Sequence, residues 1–158
     1  ISVLVVNQSG VLSRISGLFS GRGFNIESLN VAETNDTGIS RMTIITLGDD
    51  KKIEQITKQL NKLIDVIKVV DLTEEHFVDR ELILVKMNSE PRVREEILRI
   101  VDIFRAKVID VSPDNYTVEI TGDEGKIKGF LDLLKPLGIK EIVRSGRIAI
   151  SRGSKSIN

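Results

Sequence analysis

The stretch Asn7-Gln-Ser-Gly10-Val-Leu-Ser-Arg14 holds the residues of this chain best suited to recognise a small molecule. A β-branched and aliphatic run, Ile1-Ser-Val-Leu-Val-Val6, breaks there through a glycine into a helical pattern with apolar positions at Val11, Leu12, Ile15, Leu18 and Phe19. The first N–H groups of a helix lack partners within it and favour an anion, and a glycine lets a ligand approach the backbone. The Asn7 amide can accept from an ammonium group and donate to a carboxylate. Asn25 can add a second polar clamp, and Val6, Val11, Leu12, Ile26 and Leu29 have the size to enclose an aliphatic group. The chemistry on offer is recognition of a small amino acid. The plainer alternative is structural: Gly10 only makes the turn, Ser9 only caps the helix, and the aliphatic side chains are core.

Catalytic chemistry has little to work with. The chain has no Cys or Trp, one Tyr and one His, and no nucleophile with an evident base partner. His76 lacks the companions a metal site needs. The carboxylate pairs Asp49-Asp50 and Glu74-Glu75 suit capping or solvation better than acid–base work. Basic and acidic residues balance at 23 each, so neither nucleic acid nor an anionic membrane is an expected partner. No apolar run is long enough to span a bilayer, and a cytoplasmic protein is the expectation.

These residues must be positioned by a fold, and the pattern of elements repeats. Phe24–Ala32 and Ser40–Leu47 read as strands around the turn cluster Glu33–Gly38. Asp49 and Asp50 can cap a helix whose stripe is Ile53, Ile56, Leu60, Leu63 and Ile64, and Val66–Val70 is a further strand. The polar stretch Asp71–Asp79 reads as a linker. The pattern restarts with a strand at Leu82–Met87 and a helix opened by Pro91 with Val93, Ile97, Ile100, Val101 and Phe104 on its stripe. Strands at Lys107–Val111 and Tyr116–Thr121 follow, then a helix opened by Gly122-Asp123. Ile139–Val143 and Arg147–Ile150 supply a last strand or hairpin, and Arg152–Asn158 reads as a loose tail.

Gly48, Asp49, Ile53, Ile56, Leu60 and Leu63 match Gly122, Asp123, Ile127, Phe130, Leu134 and Leu137 at one constant offset. Each half therefore reads βαββαβ, and the fold class is α+β, two tandem ferredoxin-like domains. The expected boundaries are 1–72, a linker at 73–79, and 80–158. This fold also serves RNA recognition through aromatic side chains on its central strands, but Arg41-Met-Thr-Ile-Ile-Thr46 carries none. A hydrolase on the same fold would want a positioned arginine in the first loop, and Arg14 lies one helical turn too deep for that. In the four-strand arrangement the second strand is an edge, and two copies can pair through it about a twofold axis. Asn25 and Ile26 of one copy would then approach Asn7 and Gly10 of the other.

The run Asn7–Leu29 closely resembles the opening of the small regulatory subunits of acetolactate synthase (acetohydroxyacid synthase). Similarity continues through Ser40–Ile44, Leu60–Val66, Arg80–Lys86, Ile103–Arg105, Ile109–Val111, Tyr116–Val118, Arg144–Gly146 and Ser151–Gly153. The resemblance implies that the first half is an ACT domain, a module that binds amino acids at domain interfaces. It implies valine, or another branched-chain amino acid, as a feedback inhibitor held by Asn7, Gly10, Val11, Leu12 and Ser13 with Asn25 and Ile26 of a partner. It further implies a homodimer through the ACT domains, and a catalytic (large) subunit that this chain activates and makes sensitive to feedback. The thiamine diphosphate, magnesium and FAD of the family would belong to that catalytic partner, with no cofactor and no catalytic residue in this chain. The alternative is a free-standing ACT sensor acting on a different partner.

Overall fold

Strand alternation decides which side chains leave water first. In the computed structural model, which describes residues 1–157, β1 (Ser2–Val6), β2 (Ser28–Glu33), β3 (Ile39–Ile45) and β4 (Val66–Val70) form one antiparallel sheet in the order β2-β3-β1-β4. Val3, Val5, Met42 and Ile44 fall on one face. Against them α1 (Val11–Gly21) and α2 (Asp50–Leu60) pack Val11, Ile15, Phe19, Ile56 and Leu60, all almost fully buried. A helix of this length is marginal alone, so its stability comes from the sheet beneath it.

The second half repeats the plan. β5 (Phe77–Asn88), α3 (Pro91–Ile103), β6 (Lys107–Val111), β7 (Asn115–Gly122), α4 (Glu124–Leu134), a 3-10 turn at Lys135–Leu137 and β8 (Ile139–Arg144) give a sheet in the order β6-β7-β5-β8. Its core joins Ile83, Val85, Met87, Val118 and Ile120 to Ile97, Val101, Ile127, Phe130 and Leu134. The repeat extends to the caps. Lys52 N–H donates to Asp49 Oδ1 and Lys126 N–H to Asp123 Oδ1, each at 2.8 Å. The α+β class and the double βαββαβ order are as expected.

Several boundaries differ from the expectation. β2 begins at Ser28 rather than Phe24, although Glu27 N–H still donates to the Ile45 carbonyl at 2.8 Å. α2 ends at Leu60, which leaves Ile64 outside the helix and 95% exposed. The linker is shorter than 73–79, because Phe77 and Val78 already belong to β5 and Leu72 is buried. The chain divides into Asp79–Gly146 and a unit made of Ile1–Val78 with the segment from Arg147 onward, so the expected 80–158 domain loses its last part to the first unit.

Hydrogen bonds and burial explain that return. Asn30 Nδ2 donates to the Arg147 carbonyl at 3.1 Å and Arg41 Nη2 to the Ala149 carbonyl at 3.2 Å. β9 (Ile148–Ser151) pairs with β5, and Arg152 N–H donates to the His76 carbonyl at 2.8 Å. Lys155 Nζ meets Glu75 Oε1 at 3.0 Å, and Ile157 is 4% exposed. Arg41 faces Leu4 across the β1–β3 ladder, on the side of the sheet away from the helices, and Leu4 is buried there. Residues 152–157 are thus not the loose tail that their polar composition suggests, and Asn158 of that expected tail lies outside the described residues. Among the described residues no helix is long and apolar enough to cross a membrane, and no cluster of His, Cys, Asp and Glu could hold a metal ion.

If Ile157 is part of the first unit's buried structure, Ile157→Ala should destabilise the protein by about 2 kcal/mol, the low end for deleting a buried aliphatic side chain. A urea titration reads this as a lower midpoint. An unchanged midpoint would show that the segment adds nothing.

Candidate functional site

The end of β1 is held from both sides. Val6 N–H donates to the Asp65 carbonyl at 2.9 Å and Asn7 N–H to the Gly38 carbonyl at 2.8 Å. The chain then turns, with Gln8 N–H donating to the Val6 carbonyl at 3.0 Å. Gly10 is the residue before α1 and has φ 86° and ψ −12°, a left-handed conformation that L side chains rarely adopt. Its carbonyl accepts the Arg14 N–H at 3.0 Å. No side chain caps α1, so the Ser9 cap of the plainer alternative does not form, in contrast to the aspartate caps of α2 and α4.

The Asn7 amide is oriented by its own chain. Nδ2 donates to Glu33 Oε1 at 3.0 Å and to the Thr37 carbonyl at 2.9 Å. Both amide hydrogens are thereby used, and Oδ1 is what the side chain offers a ligand: an acceptor, suited to an ammonium group. Val11 is core, and its N–H reaches the Gln8 carbonyl at 3.4 Å. Leu12 and Ser13 supply the next first-turn N–H groups, and both are exposed, Leu12 to 46%. Leu12 therefore leaves the core face on which helical spacing places it and is open to an aliphatic ligand or a partner.

Asn25 and Ile26 lie in the loop between α1 and β2. Asn25 Nδ2 donates to Glu27 Oε1, and the Asn25 carbonyl accepts from Thr46 Oγ1 at 2.6 Å. Ile26 packs against the core of the first unit. The β2–β3 register runs from Ser28 opposite Ile45 to Glu33 opposite Ser40. Asn25 therefore sits at one end of β2, while Asn7 is tied to Glu33 at the other. One chain brings Asn7, Gly10, Leu12 and Ser13 together and does not bring Asn25 or Ile26 to them. β2 is the sheet's edge, and Val31 on it is 42% exposed.

Three contributors were not legible as site residues. Glu33 reads as part of a turn cluster, Asp65 falls unassigned between a helix stripe and the strand from Val66, and Arg14 reads as lying too deep. In the fold Arg14 Nε donates to Asp65 Oδ2 at 2.6 Å, and this hydrogen bond raises the arginine above its ordinary pKa. A Cβ added to Gly10 would stand 3.0 Å from Arg14 Nη1, so the guanidinium does reach the loop. The available signal was the four-residue spacing of Gly10 and Arg14 on a helix. In the second unit, Asn88, Glu90, Arg92, Val93, Pro136, Leu137 and Gly138 line an open depression of about 400 Å³. None of the candidate site residues read from the sequence lines it.

Gly10→Ala should destabilise the protein by roughly 1–2 kcal/mol through the left-handed backbone alone. Thermal unfolding monitored by circular dichroism checks this. An unchanged melting temperature would mean that the loop can leave φ 86° at no cost.

Residues 1–68 match the family model described as AHAS small subunit-like ACT domain, and residues 80–153 match that described as small subunit of acetolactate synthase. The acetolactate synthase small subunit of Aquifex aeolicus is 56% identical over 153 residues, covering 96% of this chain and 80% of the relative. That of Haemophilus influenzae is 51% identical over 158 residues, covering 99% and 97%. The crystal structure of the acetolactate synthase small subunit from Thermotoga maritima superposes with a TM-score of 0.87 at 43% identity, over 98% of this chain and 96% of that one.

Proposed function

This chain belongs to the family of acetolactate synthase small subunits, and we propose that it binds the catalytic subunit, raises its activity and makes it sensitive to valine. The observation that carries the ligand reading is the separation of the site's two halves along an edge strand. Asn7 and Gly10 sit by the Glu33 end of β2, and Asn25 and Ile26 lie beyond its Ser28 end. A second copy pairing antiparallel through β2 about a twofold axis sets its own Ser28 end beside the Glu33 end of the first. Two equivalent sites are then completed at once, each with one half from each chain. The same pairing satisfies the N–H and C=O groups of an edge that would otherwise invite aggregation.

In each site the ligand's carboxylate lies over the first-turn N–H groups of Leu12 and Ser13, where the helix start favours negative charge. The ammonium group lies towards Asn7 Oδ1. Leu12 of one chain and Ile26 of the other line the aliphatic end. The thiamine diphosphate, magnesium and FAD of the reaction belong to the catalytic partner. Valine inhibits only if it binds one arrangement of the dimer better than another, since a ligand with equal affinity for both shifts nothing. A tenfold shift needs about 1.4 kcal/mol of differential binding. Valine and isoleucine differ by one methylene, worth roughly 1–3 kcal/mol in a closed apolar pocket.

Reconstitution tests the whole reading. Adding this chain to the acetolactate synthase catalytic subunit should raise acetolactate formation, and valine should reverse that rise. Activity indifferent to the chain would refute the proposal. Gly10→Asp should keep the activation and abolish the inhibition, because the new carboxylate would stand beside Arg14 where the ligand's carboxylate belongs. Mixed dimers with Asn7→Ala in one chain and Asn25→Ala in the other should titrate with one valine per dimer by calorimetry. Two sites, or none, would contradict sharing across the twofold.

A further inference from the structure

Two constraints put the Arg14 guanidinium at the mouth of the Gly10 loop. Side chains of a helix lean towards its N-terminus, so a residue in the second turn covers the surface over the first. Arg14 is four residues past Gly10, and its Nη1 lies 3.0 Å from the point where a Gly10 Cβ would stand. The second constraint is Asp65, whose side chain is only 11% exposed and which accepts from Arg14 Nε at 2.6 Å. The backbone of Asp65 is itself fixed, since its carbonyl accepts the Val6 N–H. A guanidinium is planar, so holding its Nε edge on Asp65 turns Nη1 to the other side, here the loop.

Resting on the reading of Asn7–Ser13 as half of an amino-acid site, we propose that Arg14 is the charged contact for the ligand's carboxylate. Asp65 is its positioning residue. In this proposal one carboxylate at the loop is shared by Nη1, which stands over Gly10, and the first-turn N–H groups of Leu12 and Ser13. A carboxylate there accepts from a cation and from the helix start together, which is a stronger arrangement than either alone. Asn7 Oδ1, three residues away in the same loop, presents an acceptor whose orientation is set by Glu33 and the Thr37 carbonyl. The loop thus offers donors at Gly10 and an acceptor at Asn7, the polarity of an α-amino acid zwitterion. The Arg14 side chain is 49% exposed, so half of it remains open to a ligand although it is paired with Asp65. Gly10 suits the loop through its positive φ, and a side chain there would crowd Arg14 Nη1.

The test compares valine with valinamide, which keeps the ammonium group and the side chain but lacks the carboxylate charge. Isothermal calorimetry on the full chain should show the wild type preferring valine by at least about tenfold. In Arg14→Gln, valine affinity should fall about tenfold or more while valinamide affinity stays put, so the preference collapses. Arg14→Lys keeps a cation that can still pair with Asp65. It should retain the fold and an intermediate preference, which covers the case of a poorly folded Gln variant. Asp65→Asn should weaken valine more than valinamide. Equal losses for both ligands in the Arg14 variants would reduce the pair to a structural ion pair and overturn the proposal. A wild-type protein that binds neither valine nor any other branched-chain amino acid would instead remove the amino-acid reading on which it rests.

Discussion

An amphipathic helix of eleven to thirteen residues cannot hide its apolar stripe without a surface to lie on, and this chain meets that constraint twice. Each pair of helices takes one face of a four-strand path, and what remains follows from the order of strands. With β1 and β3 in the middle, the loop from β1 to α1 must open at the end of the sheet, and β2 must lie at its rim. Neither feature was selected by the core itself. Both are left over once Phe19, Ile15, Ile56 and Leu60 have been buried against Val3, Val5, Met42 and Ile44. Asn7, Gly10, Leu12 and Ser13, candidate site residues at and beside that loop, are exposed there.

Within the β1–α1 loop, electrostatics and backbone geometry work together. A left-handed Gly10 starts α1 without a side-chain cap, whereas α2 and α4 spend an aspartate on theirs. Nearby, the hydrogens of the Asn7 amide are committed to Glu33 and to a main-chain carbonyl, and the guanidinium of Arg14 is committed on one edge to Asp65. Preorganisation of this sort lowers the ordering cost of binding, because the groups need not be fixed when a ligand arrives.

The fold was legible because strand alternation and helical spacing agree along most of the chain, and because Gly48-Asp49 and Gly122-Asp123 mark equivalent helix starts. Boundaries failed where a pattern outlasts its element. Ile64 continues the stripe of α2 by spacing but falls past its last turn, and Phe24–Glu27 have strand-like composition without strand geometry. For the loop, Asn7 and Gly10 could be found from type and position. Glu33 and Asp65 could not, since their part depends on which distant segments meet at the end of β1, and only the spacing from Gly10 pointed to Arg14. The return of residues 147–157 to the first unit was equally hidden. Its anchors are main-chain carbonyls at Arg147, Ala149 and His76 and a single Ile157 in a polar run, and no periodicity announces them.

That return has a temporal side. A chain emerges from the ribosome N-terminus first, and domains usually close in that order. Here the helix-side core of the first unit is contiguous and can collapse early. Its opposite face, with Leu4 and Arg41, stays bare until residues 147–157 have been synthesised. The second unit, Asp79–Gly146, is uninterrupted in sequence and is complete before the first one is. During translation the module with the candidate ligand loop is thus finished after the second unit, and its half-covered sheet is the surface a nascent chain must keep from its neighbours.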